Sequence, residues 1–263
     1  MSQSHKLVMR LPSLCALIFG IASTGAIWAA TPDRLPGPMF HDGMEDLING
    51  PFSNEDAARF LAQATFGPTD ADIARLRSLR YAAWLNEQFA AAPSLQLTYY
   101  NWVATTLGEG TGSTTIREAW FLGALGGPDP ANNLIIHSDQ LRQRVTFALS
   151  EIFVISDQNT LINQFPNGVA SYYDILGNNA FGNFRTLLEQ VTLSPAMGVY
   201  LNMLGNRRAD LSQNIHPDEN YAREIKQLFS VGLVMLNADG TPQLSGGQPI
   251  PTYSQSVVTN FAH

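Results

Sequence analysis

Residues 214–233, "NIHPDENYAREIKQLFSVGL", set three acids, two bases and a histidine against an apolar helical stripe. At about 100° per residue, Tyr221, Ile225, Leu228, Phe229 and Gly232 share one face, which is the expected core stripe. Pro217 suits the first helical position, and Asp218 and Glu219 favour the positive end of the helix dipole. Glu219 and Arg223 are four apart and opposite the stripe, so they read as an exposed ion pair. Asn220 and Glu224 are different. Both fall at the edge of the buried face, where a polar group needs a partner. They belong either to a structural polar network or to the lining of a pocket. His216 with Asp218 offers a cation two ligands in a loop, which is too few for a site.

A second charged helix runs through "QLRQRVTFALSEIFVI". Leu141, Val145, Ala148, Leu149 and Ile152 share one side, while Phe147 and Val154 lie nearly opposite. A helix apolar on two sides is expected at the centre of a bundle. Arg144 and Glu151 are seven apart, about 20° from each other on the wheel, and fall between those faces. Both charges are therefore expected to be at least partly buried, where neither persists without a partner. One outcome is a buried ion network. The other is a carboxylate cleft in which a desolvated Glu151 or Glu224 is driven toward neutrality and serves as a general acid.

Other chemistries find little support in the residues. No HExxH or HxH spacing occurs, so no metal is expected, and P-loop, GxGxxG and GxSxG patterns are missing. No cofactor is therefore expected. Ser150 and Ser194 have no base partner nearby in sequence. Tyr99-Tyr100 and Tyr172-Tyr173, with Trp84, Trp102 and Trp120, would suit a sugar-binding groove, but at helical spacing such aromatics more often fill a core.

The elements that must position these residues are almost all helical. Ser53 caps "SNEDAARFLAQATFG", and Thr69 with Asp72 opens "TDADIARLRSL". Helices follow in "YAAWLNEQFAAAP", "TIREAWFLGALGG", "SDQLRQRVTFALSEIFVIS", "VASYYDILGNNA", "NFRTLLEQVTL" and "SPAMGVYLNML". The exception is an irregular or hairpin excursion near 237–252, marked by Asp239-Gly240 and Gly246-Gly247. The fold class is all-α, an irregular multi-helix bundle.

Composition bounds the setting. The chain has 263 residues, 45% hydrophobic and 14% charged, with a formal net charge of −7. That balance offers no basic patch for a phosphate backbone, so nucleic acid is not an expected partner. Lys6 and Arg10 precede an apolar, acid-free run that reads as a secretory signal peptide over residues 1–30. Loss of those two bases would take the charge from −7 to −9, and loss of Cys15 would leave no cysteine. Residues 31–52 form a Pro/Gly-rich extended lead-in, and the helical domain spans 53–263. The expected location is exported, periplasmic or extracellular, with no membrane attachment after signal cleavage. The final "TYSQSVVTNFAH" opens a helix with no C-cap, which suggests truncation.

Five stretches, "AARFLAQATFGPT", "RQRVTFALSEIFVIS", "YYDILGNNAFGNFRTLLEQVTLSPAMGVYL", "HPDENYAREIKQLFSVGL" and "TYSQSVVTNFA", follow one another as in the bacterial DUF1800 family. The chain resembles that family over roughly residues 53–262. The resemblance implies an exported protein, a neighbour of DUF1501-family proteins and hence a possible partner of one, and a domain that continues beyond this chain. It carries no catalytic residue across, but it singles out Asn220, Arg223 and Glu224 in "ENYARE". Two functions follow as expectations: a scaffold or binding protein acting on an envelope polymer or other extracellular material, or a glycan-active hydrolase or lyase using Glu224 or Glu151 as acid/base.

Overall fold

The computed structural model describes residues 50–108, 111–126, 128–129, 134–135 and 139–262. The expected signal segment, most of the lead-in, and His41, His137 and His263 lie outside the described residues. Local chemistry starts the first helices as read. Ser53 accepts the Asp56 N–H (3.0 Å) to open α1 (Asn54–Ala64), and a reciprocal Thr69/Asp72 capping box opens α2 (Asp70–Ala90). The two sequence helices expected within 69–93 join into this one run, which breaks at Arg80. Its φ of 71° is costly for a residue with a Cβ. Residues 50–51 fill the break: the Tyr81 N–H donates to Gly50 O (3.1 Å) and the Arg80 guanidinium to Pro51 O (3.0 Å).

The chain continues through α3 (Gln96–Trp102), a π-helical turn (Val103–Leu107) and α4 (Ser113–Leu125). A short antiparallel pair, β1 (Pro128–Asp129) with β2 (Leu134–Ile135), leads to α5 (Gln140–Ile152). Then come α6 (Thr160–Asn163), α7 (Pro166–Asn178), α8 (Phe184–Leu193) and α9 (Pro195–Tyr200), followed by a 3₁₀ turn at Leu211–Gln213. The last third holds α10 (Asn220–Gln227), the hairpin β3 (Leu244–Ser245) and β4 (Gln248–Pro249), and α11 (Gln255–Phe261). The all-α reading holds, and the hairpin falls inside the expected excursion, extended by bridges Leu236–Pro242 and Val234–Pro251. Sequence reading did not anticipate α3, α6 or β1–β2.

The core forms where α5 crosses α1, α2, α4 and α7. Leu141, Val145, Leu149 and Phe153 are buried along it, against Leu61 of α1, Leu76 of α2, Tyr172 and Leu176 of α7, and Val191 of α8. The central placement of this helix is as expected, but its buried arc is not. Ile152 and Val154 are exposed, Ala148 is half-buried, and the arc runs instead over Arg142, Gln143, Thr146 and Ser150.

The stretch at 214–233 also yields a shorter helix than its pattern suggested. It begins at Asn220 rather than Pro217. The Asn206 side-chain amide takes the backbone of Asp218, accepting its N–H (2.9 Å) and donating to its carbonyl (2.8 Å), so that residue is spent before a helix can use it. The helix stops at Gln227, where the N–H groups of Val231 and Gly232 both reach back to Lys226 O, and Gly232 takes a φ of 74°. The core stripe shrinks to Tyr221, Ile225 and Phe229, and Leu228 faces outward.

Candidate functional site

Glu151 and Glu224, expected to share a buried setting, do not. Glu151 sits in the last turn of α5 and is exposed, which corrects the burial read from the helical wheel. Arg144 is half-buried and makes no ion pair with it among the described residues; its guanidinium lies over the rings of Phe66 (5.4 Å) and Phe147 (5.7 Å). The buried cation of α5 is Arg142, two positions earlier. It donates to Gly177 O (3.1 Å) and Ala91 O (3.3 Å) and stacks 4.6 Å from the Phe181 ring centre. Burial pushes its guanidinium down, against the Asp139 carboxylate, which holds it up.

Glu224 lies at the edge of the buried face, as expected, and is half-buried. One carboxylate oxygen, Oε2, is enclosed without a hydrogen-bond partner among the described residues. Asn220 is half-buried beside it, and its N–H donates to Asp218 Oδ1 (2.8 Å). The Glu219–Arg223 pair forms on the outer face (2.5 Å) and is part of a larger link. Glu219 also accepts from Gln255 Nε2 at both oxygens (3.0 and 2.9 Å) and from Thr259 Oγ1 (2.9 Å). Those donors, Gln255 foremost, hold the Glu219 carboxyl below the usual range. The "ENYARE" motif therefore fastens α10 to α11. His216 is exposed, its Nε2 3.2 Å from Asn214 Oδ1, and no cluster of three metal-ligating side chains forms among the described residues.

Glu151 instead stands on a cleft of about 390 Å³ between α4, α5 and α7, closed underneath by α3. This volume falls within the ~300–1,000 Å³ of ligand clefts. Trp120, Phe121 and Phe147 make one wall. Trp120 meets Phe121 edge-on (5.0 Å) and Phe147 at a tilt (6.0 Å), and Phe66 and the Arg144 guanidinium brace the wall from behind. Phe121 is 51% exposed, an apolar ring offered to solvent. Across the mouth, Arg117 of α4 donates to Asp157 Oδ2 (2.8 Å). Tyr173 of α7 completes the polar side. Burial pushes its phenol up, Ser150 hydrogen-bonds it the other way, and the Glu151 and Asp157 carboxylates add to the rise. Both acids therefore act on the same hydroxyl.

The base of the cleft is positioned by carboxylates far away in sequence. Asp174 of α7 accepts the Gln96 N–H (2.7 Å) and the Leu97 N–H (3.1 Å), satisfying the first turn of α3, whose own N-cap Leu95 has no side-chain acceptor. Asp139 accepts from the Ser94 N–H and hydroxyl (2.8 Å each) and from Gln143 Nε2 (2.9 Å). Gln96, fixed by this cradle, lines the cleft while only 6% exposed, and its side-chain Oε1 has no hydrogen-bond partner among the described residues. Sequence reading missed Asp139, Arg142, Asp174 and Gln96. Of the aromatic pairs it weighed, Trp84, Tyr100 and Tyr172 are core, whereas Trp120 and Tyr173 line the cleft.

A larger hollow of about 620 Å³ between α1 and α2 has no aromatic wall, and its Arg77 already donates to Asn54 (2.7 Å). Among the described residues no helix is long and apolar enough to cross a membrane. In comparison with known proteins, residues 59–263 match the family described as "Protein of unknown function (DUF1800)". No curated protein and no solved structure matches the chain.

Proposed function

The chain belongs to the DUF1800 family, and from that premise we propose that it is an exported binding protein that holds a glycan of the cell envelope or extracellular matrix in the α4–α5–α7 cleft. The observation that carries this reading is a cleft in which the half-buried Trp120 and the exposed Phe121 are joined by the polar side chains of Tyr173 and Glu151. Sugar rings present apolar C–H faces and hydroxyl edges, and such a cleft offers a partner for each. The acid/base alternative rested on a desolvated Glu151 or Glu224: Glu151 is solvated, and Glu224, half-buried with Oε2 enclosed, lies outside the lining of this cleft. The burial-raised carboxyl of Asp174 spends both oxygens on the backbone of α3.

The test is co-sedimentation of the purified protein with insoluble cell-wall sacculi at moderate salt. The protein is expected in the pellet. Trp120→Ala and, at an exposed position where folding is little affected, Phe121→Ser should each weaken retention about tenfold, the equivalent of ~1.4 kcal/mol. Absence of the unaltered protein from the pellet, or retention indifferent to both substitutions, would remove the reading.

A further inference from the structure

We propose that the hairpin segment joins two copies of this chain, packing an apolar sheet face of one against the same face of the other. Three antiparallel pairs lay the face out: Val234 opposite Pro251, Leu236 opposite Pro242, and Leu244 opposite Pro249. Residues directly opposite project to the same side of a sheet, and so do residues two apart along a strand. Val234 and Leu236, Pro242 and Leu244, and Pro249 and Pro251 are each two apart, so all six share one face. The described residues leave it largely uncovered. Leu236 is 54% and Leu244 60% exposed, the three prolines are exposed, and only Val234 is half-buried.

The edges of this small sheet are blunted against an added strand. Ladder bonds flank the pairs rather than join them, as Met235 N–H to Ile250 O (2.8 Å) and Gln243 N–H to Met235 O (2.8 Å) show. In such pairs the N–H groups point away from the ladder, and at 242, 249 and 251 proline has none. On the remaining edge the Leu236 carbonyl already accepts from Gln243 Nε2 (2.9 Å). A partner therefore meets the face, sheet on sheet.

Charge decides which partner. Residues 227–262 contain one charged side chain, Asp239, in a chain that is 14% charged and carries −7 overall. Asp239 Oδ1 is engaged by Thr241 within its own turn. Two chains of that net charge repel where their acidic surfaces meet, and this segment lets them approach without such a meeting. A face with no charge offers no counter-charge to a basic or acidic partner, whereas it complements itself, as a two-fold interface requires. Size agrees. At roughly 100 Å² for each exposed apolar side chain, the face supplies about 500 Å². That suits the apolar centre of the ~800 Å² each partner gives to a standard interface. Thr241, Ser245 and Gln248, exposed and uncharged, supply a polar rim.

Sedimentation equilibrium of the purified protein over a hundredfold range of concentration tests the proposal. A monomer–dimer equilibrium is expected. Raising the salt should tighten it, because salt screens the repulsion between two acidic chains. Leu244→Glu and Leu236→Glu, each at an exposed position, set like charges against each other across the interface and should each weaken dimerisation at least tenfold. Leu125→Glu, at a leucine 69% exposed on α4, should leave it unchanged. Far-UV circular dichroism checks that each variant stays folded, and either hairpin variant alone suffices. A monomer at every concentration and salt would overturn the inference, whether the face then stays open or another segment of the chain covers it. A dimer that survives the hairpin substitutions, or one that loosens as salt rises, would put the contact on another surface and overturn it as well.

Discussion

Asp174 accepts two backbone N–H groups of a helix it does not belong to, and burial pushes its carboxyl up to about 6 even against those two bonds. The ordinary aspartate value is about 3.9. A folded-state value raised above the unfolded one means the folded chain binds the proton more tightly. The resulting stability is fully present below about pH 4 and is lost as pH rises through about 6. The difference in unfolding free energy between the unaltered protein and Asp174→Asn, measured by urea titration from pH 4 to 8, should therefore fall across that window and then level off. Its span has an upper bound of about 3 kcal/mol; a difference flat with pH would exclude the argument. The same residue scale shows why Arg142 was overlooked in favour of Arg144. Apolar side chains alone centred the buried face of α5 near Leu141 and Val145. The true buried arc includes Gln143, Thr146 and Ser150, each with a hydrogen bond, and its midpoint falls close to Arg142. A polar residue with a partner is as buried as a leucine: Thr146 and Ser150 find theirs in carbonyls of the preceding turn, and Arg142 in Ala91 and Gly177, far off in the chain.

Helices that carry their own caps were the legible ones. Ser53, Thr69 with Asp72, and Asn183 each accept an N–H two or three residues ahead, so α1, α2 and α8 announce themselves within a few residues. Helix α3 has no such signal, because its acceptor is Asp174, 78 residues from Gln96. Sequence reading accordingly passed over the element that closes the base of the cleft, and with it Gln96. Trp120 and Glu151 were noticed, but nothing local showed that α4 and α5 would bring them to one cavity. Where a cap is local its contribution should be separable. Thr69→Ala removes the hydroxyl that accepts the Asp72 N–H and leaves Asp72 accepting the backbone N–H of residue 69, and a loss of about 1 kcal/mol is expected from chemical unfolding. Asp72→Ala should lose a similar amount, and the double variant less than the sum of the two, since each residue serves the other. Full additivity would mean that the box contributes only as two independent caps.

Across the whole molecule, the bundle of α1 to α9 and the segment from the 3₁₀ turn to α11 are secured very differently. The bundle is threaded by one continuous core centred on α5 and α7. The later segment enters that core through Tyr221, Ile225 and Phe229, the last packed 5.1 Å from Phe153. Its own cluster has only three small or medium buried members, Ala222, Val258 and Ala262. Its polar ties include Tyr221 donating to Thr192 Oγ1 (2.7 Å), Asn206 donating to Ala262 O (2.6 Å) and Asp218 O (2.8 Å), Asn202 donating to Asp218 Oδ2 (3.1 Å) and, within the segment, the Glu219 link between α10 and α11. Apolar side chains in this segment, Leu228, Val231, Leu233 and Leu244 among them, are more than half exposed and do not strengthen the junction. Few buried apolar contacts and solvent-facing hydrogen bonds are the marks of a unit that opens below the global unfolding free energy. Amide hydrogen exchange should therefore be faster in α10 and α11 than in α5 and α7 under native conditions. Phe229→Ala, which empties a large side chain at the junction at a cost of about 3–5 kcal/mol, should speed exchange in α10 and α11 well before it changes α7. Uniform protection across all four helices, or a Phe229→Ala effect spread evenly through the bundle, would show that the molecule opens as one unit. In either case the α4–α5–α7 cleft lies wholly in the bundle, and a ligand seated there should protect those helices while leaving exchange in α10 and α11 unchanged.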